Sequence, residues 1–240
     1  MTAGVLLRSV AYALVQVTVT PVYSVVALLT FPFGPLTRYR IISSWSHLMV
    51  WSAARICALR YRVIGADNIP REPFVALVKH ESAWETLALQ VILPPQVWVV
   101  KRELLWIPFF GWGLRMLSPI AIDRRQGIRA LRQMVQQGRD RIAKGFSIVI
   151  FPEGTRSAPG MPSTYHPGGA WLATQAAVPV LPIAHDAGDY WPRNGFLKRP
   201  GVITVSIAPA LKPDAHSDPV ELTRRVQNWI EDEVARIRAA

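Results

Sequence analysis

The sequence predicts an α/β fold, a central mixed sheet flanked by helices, preceded by an N-terminal helical hairpin associated with a membrane. Three observations lead there. After Arg60, short apolar runs alternate with helix-like stretches, the pattern of strands and helices interleaved in one sheet. Between Arg8 and Arg38 the chain runs 29 residues without a charge, longer than the roughly 20 apolar residues that cross a bilayer. Half of the 240 residues are hydrophobic and only 18% are charged, against about 25% in an average soluble domain. Mean hydropathy is +0.20, so apolar surface is left over for a membrane contact. The same figures exclude a disordered chain, which combines low hydrophobicity with high net charge. The expected division is 1–60 for the membrane-associated helices and 61–240 for the domain that carries the chemistry.

Each element follows in order. Pro21 sits near the middle of the uncharged run and removes a helical donor. The halves 10–20 and 22–33 are then each too short to cross, which predicts a re-entrant or in-plane hairpin, with one kinked spanning helix as the rival. Basic residues flank both ends, so charge selects no orientation. Over 41–60, Ile41, Ile42, Trp45, Leu48, Met49 and Ile56 recur at helical spacing. They predict a helix packed on the core or, with Trp45 and Trp51, one lying in the headgroup layer. The lone Cys57 reads as a small buried hydrophobe, and one cysteine excludes a disulfide-stapled scaffold.

Strands are expected at Arg62–Ile64, Phe74–Lys79, Val97–Lys101, Ile120–Ile122, Phe146–Phe151, Val180–Ala184 and Val202–Ile207. Helices are expected over 82–92, 103–116, 127–144, 168–177 and 218–238. In the third of these, Ile128, Leu131, Val135 and Ile142 form the inward stripe. The last opens on Asp218 as N-cap, Pro219 at N1 and Glu221 at N3, a capping-box arrangement. It buries Val226, Trp229, Ile230, Val234 and Ile237. Ser157–Gly169 reads as a surface loop.

The net charge is +11, which favours anionic partners. From Lys101 to Gly145 there are ten basic residues against three acidic ones. That belt suits acidic lipid, an acidic protein or a phosphorylated substrate, and it reads equally as a solvated helix face. Nucleic acid is a poor partner, because no reading motif accompanies the charge.

Two constellations carry chemistry. In Val78-Lys79-His80-Glu81-Ser82-Ala83-Trp84-Glu85, a histidine ends a strand just before a helix. Its ordinary pKa near 6.5 suits a general base, and a nearby carboxylate would hold its tautomer. Positions five apart lie about 140° from one another on a helix, so His80 and Glu85 meet only if His80 lies on the turn entering the helix. Glu81 competes as the partner. A zinc site is not expected: the His-Glu-x-x-His pattern needs a histidine where Trp84 stands. In Phe151-Pro152-Glu153-Gly154-Thr155-Arg156, Gly154 permits a tight turn and Arg156 offers a planar fork for a phosphate monoester. Thr155 adds a hydroxyl, and Glu153 either binds a hydroxyl or holds the arginine. Lys101 and Arg102 add positive charge, and Trp106, Phe109, Phe110 and Trp112 form an aromatic wall for an acyl chain, the bilayer or the core. No Gly-x-Ser-x-Gly elbow, Walker A or Gly-x-Gly-x-x-Gly appears.

Taken in order, these blocks resemble the membrane glycerophospholipid acyltransferase family over roughly 74–184. The first reads His80-Glu81-Ser82-Ala83-Trp84-Glu85, with Glu where the family more often has Asp. The second is Lys101 with Pro108 and Gly111. The third, Phe151 to Arg156, is a full match, and the fourth is Val178-Pro179-Val180-Leu181-Pro182. The resemblance implies a single acyltransferase domain. It implies transfer of a fatty acyl group from acyl-CoA or acyl-acyl carrier protein to the sn-2 hydroxyl of lysophosphatidate, giving phosphatidate, with no metal or other cofactor. His80 and Glu85 would be catalytic, and Lys101, Glu153, Gly154, Thr155 and Arg156 would bind the acceptor. Cytoplasmic donors imply an inner-membrane protein with its catalytic domain on the cytoplasmic side. Another lysolipid acceptor, or a non-catalytic lipid-binding protein of the same fold, are the rival expectations.

Overall fold

The computed structural model describes residues 3–161, 163–214 and 216–240; the side chain of Arg124, one member of the basic belt, and Pro162 of the expected surface loop lie outside that description. The chain begins with two long helices, α1 (Ala3–Leu29) and α2 (Pro35–Ile56). They pack against each other across a turn at 30–34, whereas the expected hairpin of 10–20 on 22–33 does not form. The expected break at Pro21 is absent and α1 continues through it. Hydroxyls bond the backbone on both sides of the proline: Thr20 Oγ1 donates to the Gln16 carbonyl at 2.6 Å and Ser24 Oγ to the Thr20 carbonyl at 2.8 Å. Packing of α1 on α2 and on a later helix does the rest.

α1 is the one helix among the described residues long and apolar enough to cross a membrane. Its outer face, including Leu7, Leu14, Val17 and Leu29, is exposed, and an apolar band of this extent suggests membrane association. Its inner face is held to the domain. Ser9 Oγ accepts the Lys198 N–H at 2.9 Å, Tyr12 meets Trp191 edge to face, and the Lys198 ammonium lies 4.6 Å from the Trp191 ring centroid.

Seven strands follow: β1 (Leu59–Ile64), β2 (Val75–Val78), β3 (Gln96–Lys101), β4 (Ile120–Ile122), β5 (Ser147–Ile150), β6 (Val180–His185) and β7 (Gly201–Ile207). They form one sheet in the order β1-β7-β6-β2-β5-β3-β4. The five strands from β6 to β4 are parallel, whereas β7 is antiparallel to β6 and carries β1 parallel to itself. The central strands β2, β5 and β6 are buried at every position, as parallel strands covered on both faces must be. At the edge, β1 buries only Leu59 and then alternates between exposed and partly exposed positions.

Connections running towards β4 and those running back lie on opposite faces when all cross over right-handed. Accordingly α5 (Ile128–Ala143), α6 (Gly168–Ala176) and α8 (Pro219–Ala239) pack with one another, while α1 and α2 pack with α3 (Trp84–Ile92) and α4 (Phe110–Met116). A short α7 (Ala187–Tyr190) follows β6.

One expected helix is corrected, together with one position on the face of another. The segment 103–116 is a 3-10 turn, Arg102–Trp106, and then α4, separated at Pro108 and by the left-handed Phe109 (φ 61°). The chain folds back so tightly that a Cβ at Gly111 would lie 2.5 Å from the Leu105 carbonyl oxygen. In α5 Val135 is buried and Leu131 and Ile142 pack on the core as expected, while Ile128 is 70% exposed and Ala130, Met134 and Gly138 complete the buried face. The helix turns small residues inward because α6 approaches closely there; a Cβ at Gly138 would meet Leu172 Cδ1 at 2.6 Å.

The α8 start forms half of the expected box. Asp218 accepts the Val220 N–H at 3.0 Å and the Glu221 N–H at 3.4 Å, whereas Glu221 pairs with Arg224 at 2.7 Å. Asp218→Ala is expected to lower stability by about 1 kcal/mol. Chemical denaturation in detergent reads this directly; an unchanged midpoint would show that the cap contributes nothing.

Candidate active site

β2 and β5 are adjacent and parallel, so their carboxyl ends open on the same edge of the sheet, where α/β folds place their ligands. β2 stops at Val78 and the helix does not begin until Trp84. His80 therefore stands on the entering turn, which removes the angular obstacle between positions five apart. Glu85, in the first turn of α3, curls back over its own N-terminus. One carboxylate oxygen, Oε1, accepts from Glu81 N–H at 3.1 Å and Ser82 N–H at 2.9 Å, and lies 2.8 Å from His80 Nδ1. Glu85 thus holds both the turn entering α3 and the histidine, and its longer arm reaches. Burial by itself pushes the Glu85 carboxyl up, but the hydrogen bond with His80, the nearby histidine rings and the Ser82 N–H outweigh it and hold the group below the usual carboxylate value. An ionised Glu85 only accepts, so Nδ1 carries the ring proton and Nε2 keeps its lone pair. The ring stacks on Phe151, centroids 3.8 Å apart and planes 14° off parallel, which fixes its orientation.

The competing partner Glu81 goes elsewhere. Its buried carboxylate takes both bonds from Arg238 in α8, at 2.8 and 3.0 Å. Glu153 is also placed differently from its expected role at the acceptor. Its side chain is buried, with Oε1 accepting the His80 N–H at 2.7 Å and Oε2 lying 3.5 Å from Lys79 Nζ. It ties the end of β5 to the end of β2 and does not line the cavity.

The remaining expected residues do line it. Gly154 turns with φ 72°, and Thr155, Arg156 and Lys101 follow around one cavity of about 430 Å³ that also takes in His80. Arg156 Nε is buried and has no hydrogen-bond partner among the described residues; such donors are normally satisfied. Sequence reasoning missed Arg193, which borders the same cavity and donates to the Arg156 carbonyl at 2.6 Å. It lies beyond the stretch carrying the recognisable blocks, and nothing local marks it.

The opposite wall is apolar. Leu87, Trp98, Phe110, Leu114 and Leu117 line it, joined by Trp45 of α2. Trp45 thus faces inward, whereas Trp51 on the same helix is 57% exposed. Trp106, Phe109 and Trp112 are exposed and extend the apolar surface of α1, which packs on α4. α1 itself contributes Thr20, Tyr23 and Ser24 to the cavity. Among the described residues no group of three or more His, Cys, Asp or Glu side chains is arranged to hold a metal.

The arrangement offers a base, an orienting carboxylate, a cationic rim and an apolar chamber. A family model described as Acyltransferase matches residues 60–186. The chain is 41% identical over 235 residues to a 1-acyl-sn-glycerol-3-phosphate acyltransferase of Pseudomonas aeruginosa, covering 96% of this chain and 91% of the relative. It is 27% identical over 210 residues to a protein of the same name from Limnanthes douglasii, covering 85% and 73%. In fold it is similar to the crystal structure of the 1-acyl-sn-glycerophosphate (LPA) acyltransferase PlsC from Thermotoga maritima, with a TM-score of 0.81 at 22% identity, covering 98% of this chain and 96% of that one.

Proposed function

The chain belongs to the acyltransferase family, and from that premise we propose that it moves a fatty acyl group from a thioester to the sn-2 hydroxyl of 1-acyl-sn-glycerol-3-phosphate, forming phosphatidate. The observation that carries this reading is the His80–Glu85 pair at 2.8 Å, opening on the cavity that Arg156 also lines. Nε2 of His80 takes the proton of the acceptor hydroxyl as its oxygen attacks the thioester carbonyl. The carbonyl π electrons move onto its oxygen. When they return, the carbon–sulfur bond breaks, and the imidazolium gives its Nε2 proton to the departing sulfur, so the free thiol leaves and neutral His80 is restored. Glu85 keeps Nδ1 protonated throughout and stabilises the imidazolium.

Arg156, with Lys101 lining the same cavity, holds the acceptor phosphate, while Gly154 and Thr155 shape the glycerol end. The acyl chains occupy the apolar wall. The donor is acyl-CoA or acyl-acyl carrier protein, and no other cofactor enters. We assign membrane association to 1–60, which also lends part of the cavity wall, and the catalytic residues to 61–240, with the catalytic face towards the cytoplasm, where both donors reside.

Purified protein in detergent, given labelled acyl-CoA and acyl-acyl carrier protein, is expected to convert lysophosphatidate to phosphatidate. Arg156→Ala is expected to raise the lysophosphatidate KM about 10- to 100-fold, the size of one charge-assisted contact, with kcat within about threefold. Transfer only to a phosphate-free lysolipid would overturn the acceptor, and no transfer to any acceptor would favour a lipid-binding role.

A further inference from the structure

His80 has a charged residue on each side, and both are buried. Lys79 and Glu81 are 1% and 0% exposed. Along this turn adjacent side chains diverge: His80 faces the cavity while Lys79 and Glu81 face the body of the protein. Both meet the same helix. Lys79 Nζ bonds Glu231 Oε1 at 2.8 Å, and Arg238 Nη2 donates to both carboxylate oxygens of Glu81, at 2.8 and 3.0 Å. Glu231 and Arg238 are seven apart, two turns along one face of α8. Two residues of the turn span about 6.6 Å and seven of the helix about 10.5 Å, and the long side chains of both pairs bridge the difference. The signs match, since a slipped register would set Glu81 against Glu231.

The contacts are braced. Tyr165 donates to Glu231 at 2.9 Å, and Asp189 of α7 holds Arg238 Nε at 2.9 Å. A Cβ at Gly188 would lie 2.7 Å from Glu81 Oε2, so α7 closes over this pair only because position 188 is glycine. His185, at the end of β6, accepts the Ala187 N–H on Nδ1 and so donates from Nε2 to the Lys79 carbonyl at 2.8 Å. Each pair joins a buried member, Lys79 or Glu81, to a part-exposed one on α8, Glu231 or Arg238, and such pairs are poor stabilisers compared with apolar packing.

We infer that α8, through Glu231 and Arg238, is a positioning element for His80: two ion pairs of opposite sign, one on each flank, fix the turn so that the ring meets Glu85 in a single orientation. Arg238 and Glu231 act through that turn and touch no substrate. The inference rests on the reading of His80 as the base, but part of its test needs no turnover.

Arg238→Met is expected to lower kcat at least tenfold with both KM values within twofold, and Arg238→Lys to recover part of the loss. Gly188→Ala leaves every charge in place and displaces Glu81 sterically; it is expected to show the same split. Ring nitrogen NMR of His80 should show one Nδ1-protonated tautomer in the wild type and a mixture in Arg238→Met and Gly188→Ala. Wild-type kcat and an unmixed tautomer in folded variants would overturn the inference. So would a kcat loss that only tracks the unfolded fraction in a thermal melt. Wild-type protein that transfers to no acceptor while His80→Ala behaves alike would count against the functional reading; the tautomer comparison still decides the role of α8.

Discussion

Replacing His80 with alanine is expected to reduce acyl transfer about 10²- to 10⁴-fold, the range that a positioned general base supplies. The loss should appear in kcat, with the acceptor KM little changed, because the cationic side of the cavity at Arg156 remains. The fold should survive. His80 sits on a turn whose backbone is held independently of its ring: its N–H is bound by Glu153 and its carbonyl accepts the Ser157 N–H at 2.8 Å. Steady-state transfer with labelled donor, beside a thermal melt, checks both halves. Transfer within threefold of wild type would remove His80 from the chemistry altogether.

Glu85→Gln carries the second large effect. A glutamine is almost the same size, but its amide at that site can present a donor where an acceptor is needed, and the histidine proton is then free to move to Nε2. The base loses the lone pair that faces the cavity. Loss of the correct tautomer in a comparable triad costs on the order of 10⁴ in kcat, and we expect 10² to 10⁴ here. The same variant tests a linkage. Because the folded Glu85 carboxyl lies below its unfolded value of 4.5, its contribution to stability is complete above that value and is lost as pH falls through the folded one. Glu85→Gln should therefore flatten the dependence of unfolding midpoint on pH below about 4.5, the ordinary carboxylate range. Unchanged slopes, or unchanged kcat, would show that Glu85 neither titrates with folding nor orients the ring.

Much of this architecture was legible because it is written locally. All seven strands announce themselves as short apolar runs, and Ile120–Ile122 matches to the residue. The Asp218 cap is visible for the same reason: a cap and the amides it binds are neighbours in sequence. Pro21 misled because the expectation priced the proline alone, whereas the helix around it is secured by packing and by serine and threonine hydroxyls. His80 and Glu85 could be singled out by residue type, but their contact depended on where α3 begins, and helix boundaries are a tertiary outcome. The supports of His80 were not legible at all. Glu81 and Arg238 are 157 positions apart, and only the strand order, which brings β6 and then α8 beside β2, makes them neighbours. Glu153 was drawn to the substrate by its place beside Arg156. Along a turn, adjacent side chains diverge, and this one went inward.

One consequence follows from where α1 lies. The helix shows lipid-like residues outward and sets Thr20, Tyr23 and Ser24 into the wall of the reaction chamber. The part of the chain that would usually be treated as a removable tether is here a share of the vessel. A fragment beginning at β1 would not be a water-soluble edition of the same catalyst; it would be a catalyst with one side open. Solubility and activity are consequently properties that trimming cannot separate in this molecule, and any engineering for aqueous use has to redraw the outer face of α1 while leaving its inner face alone.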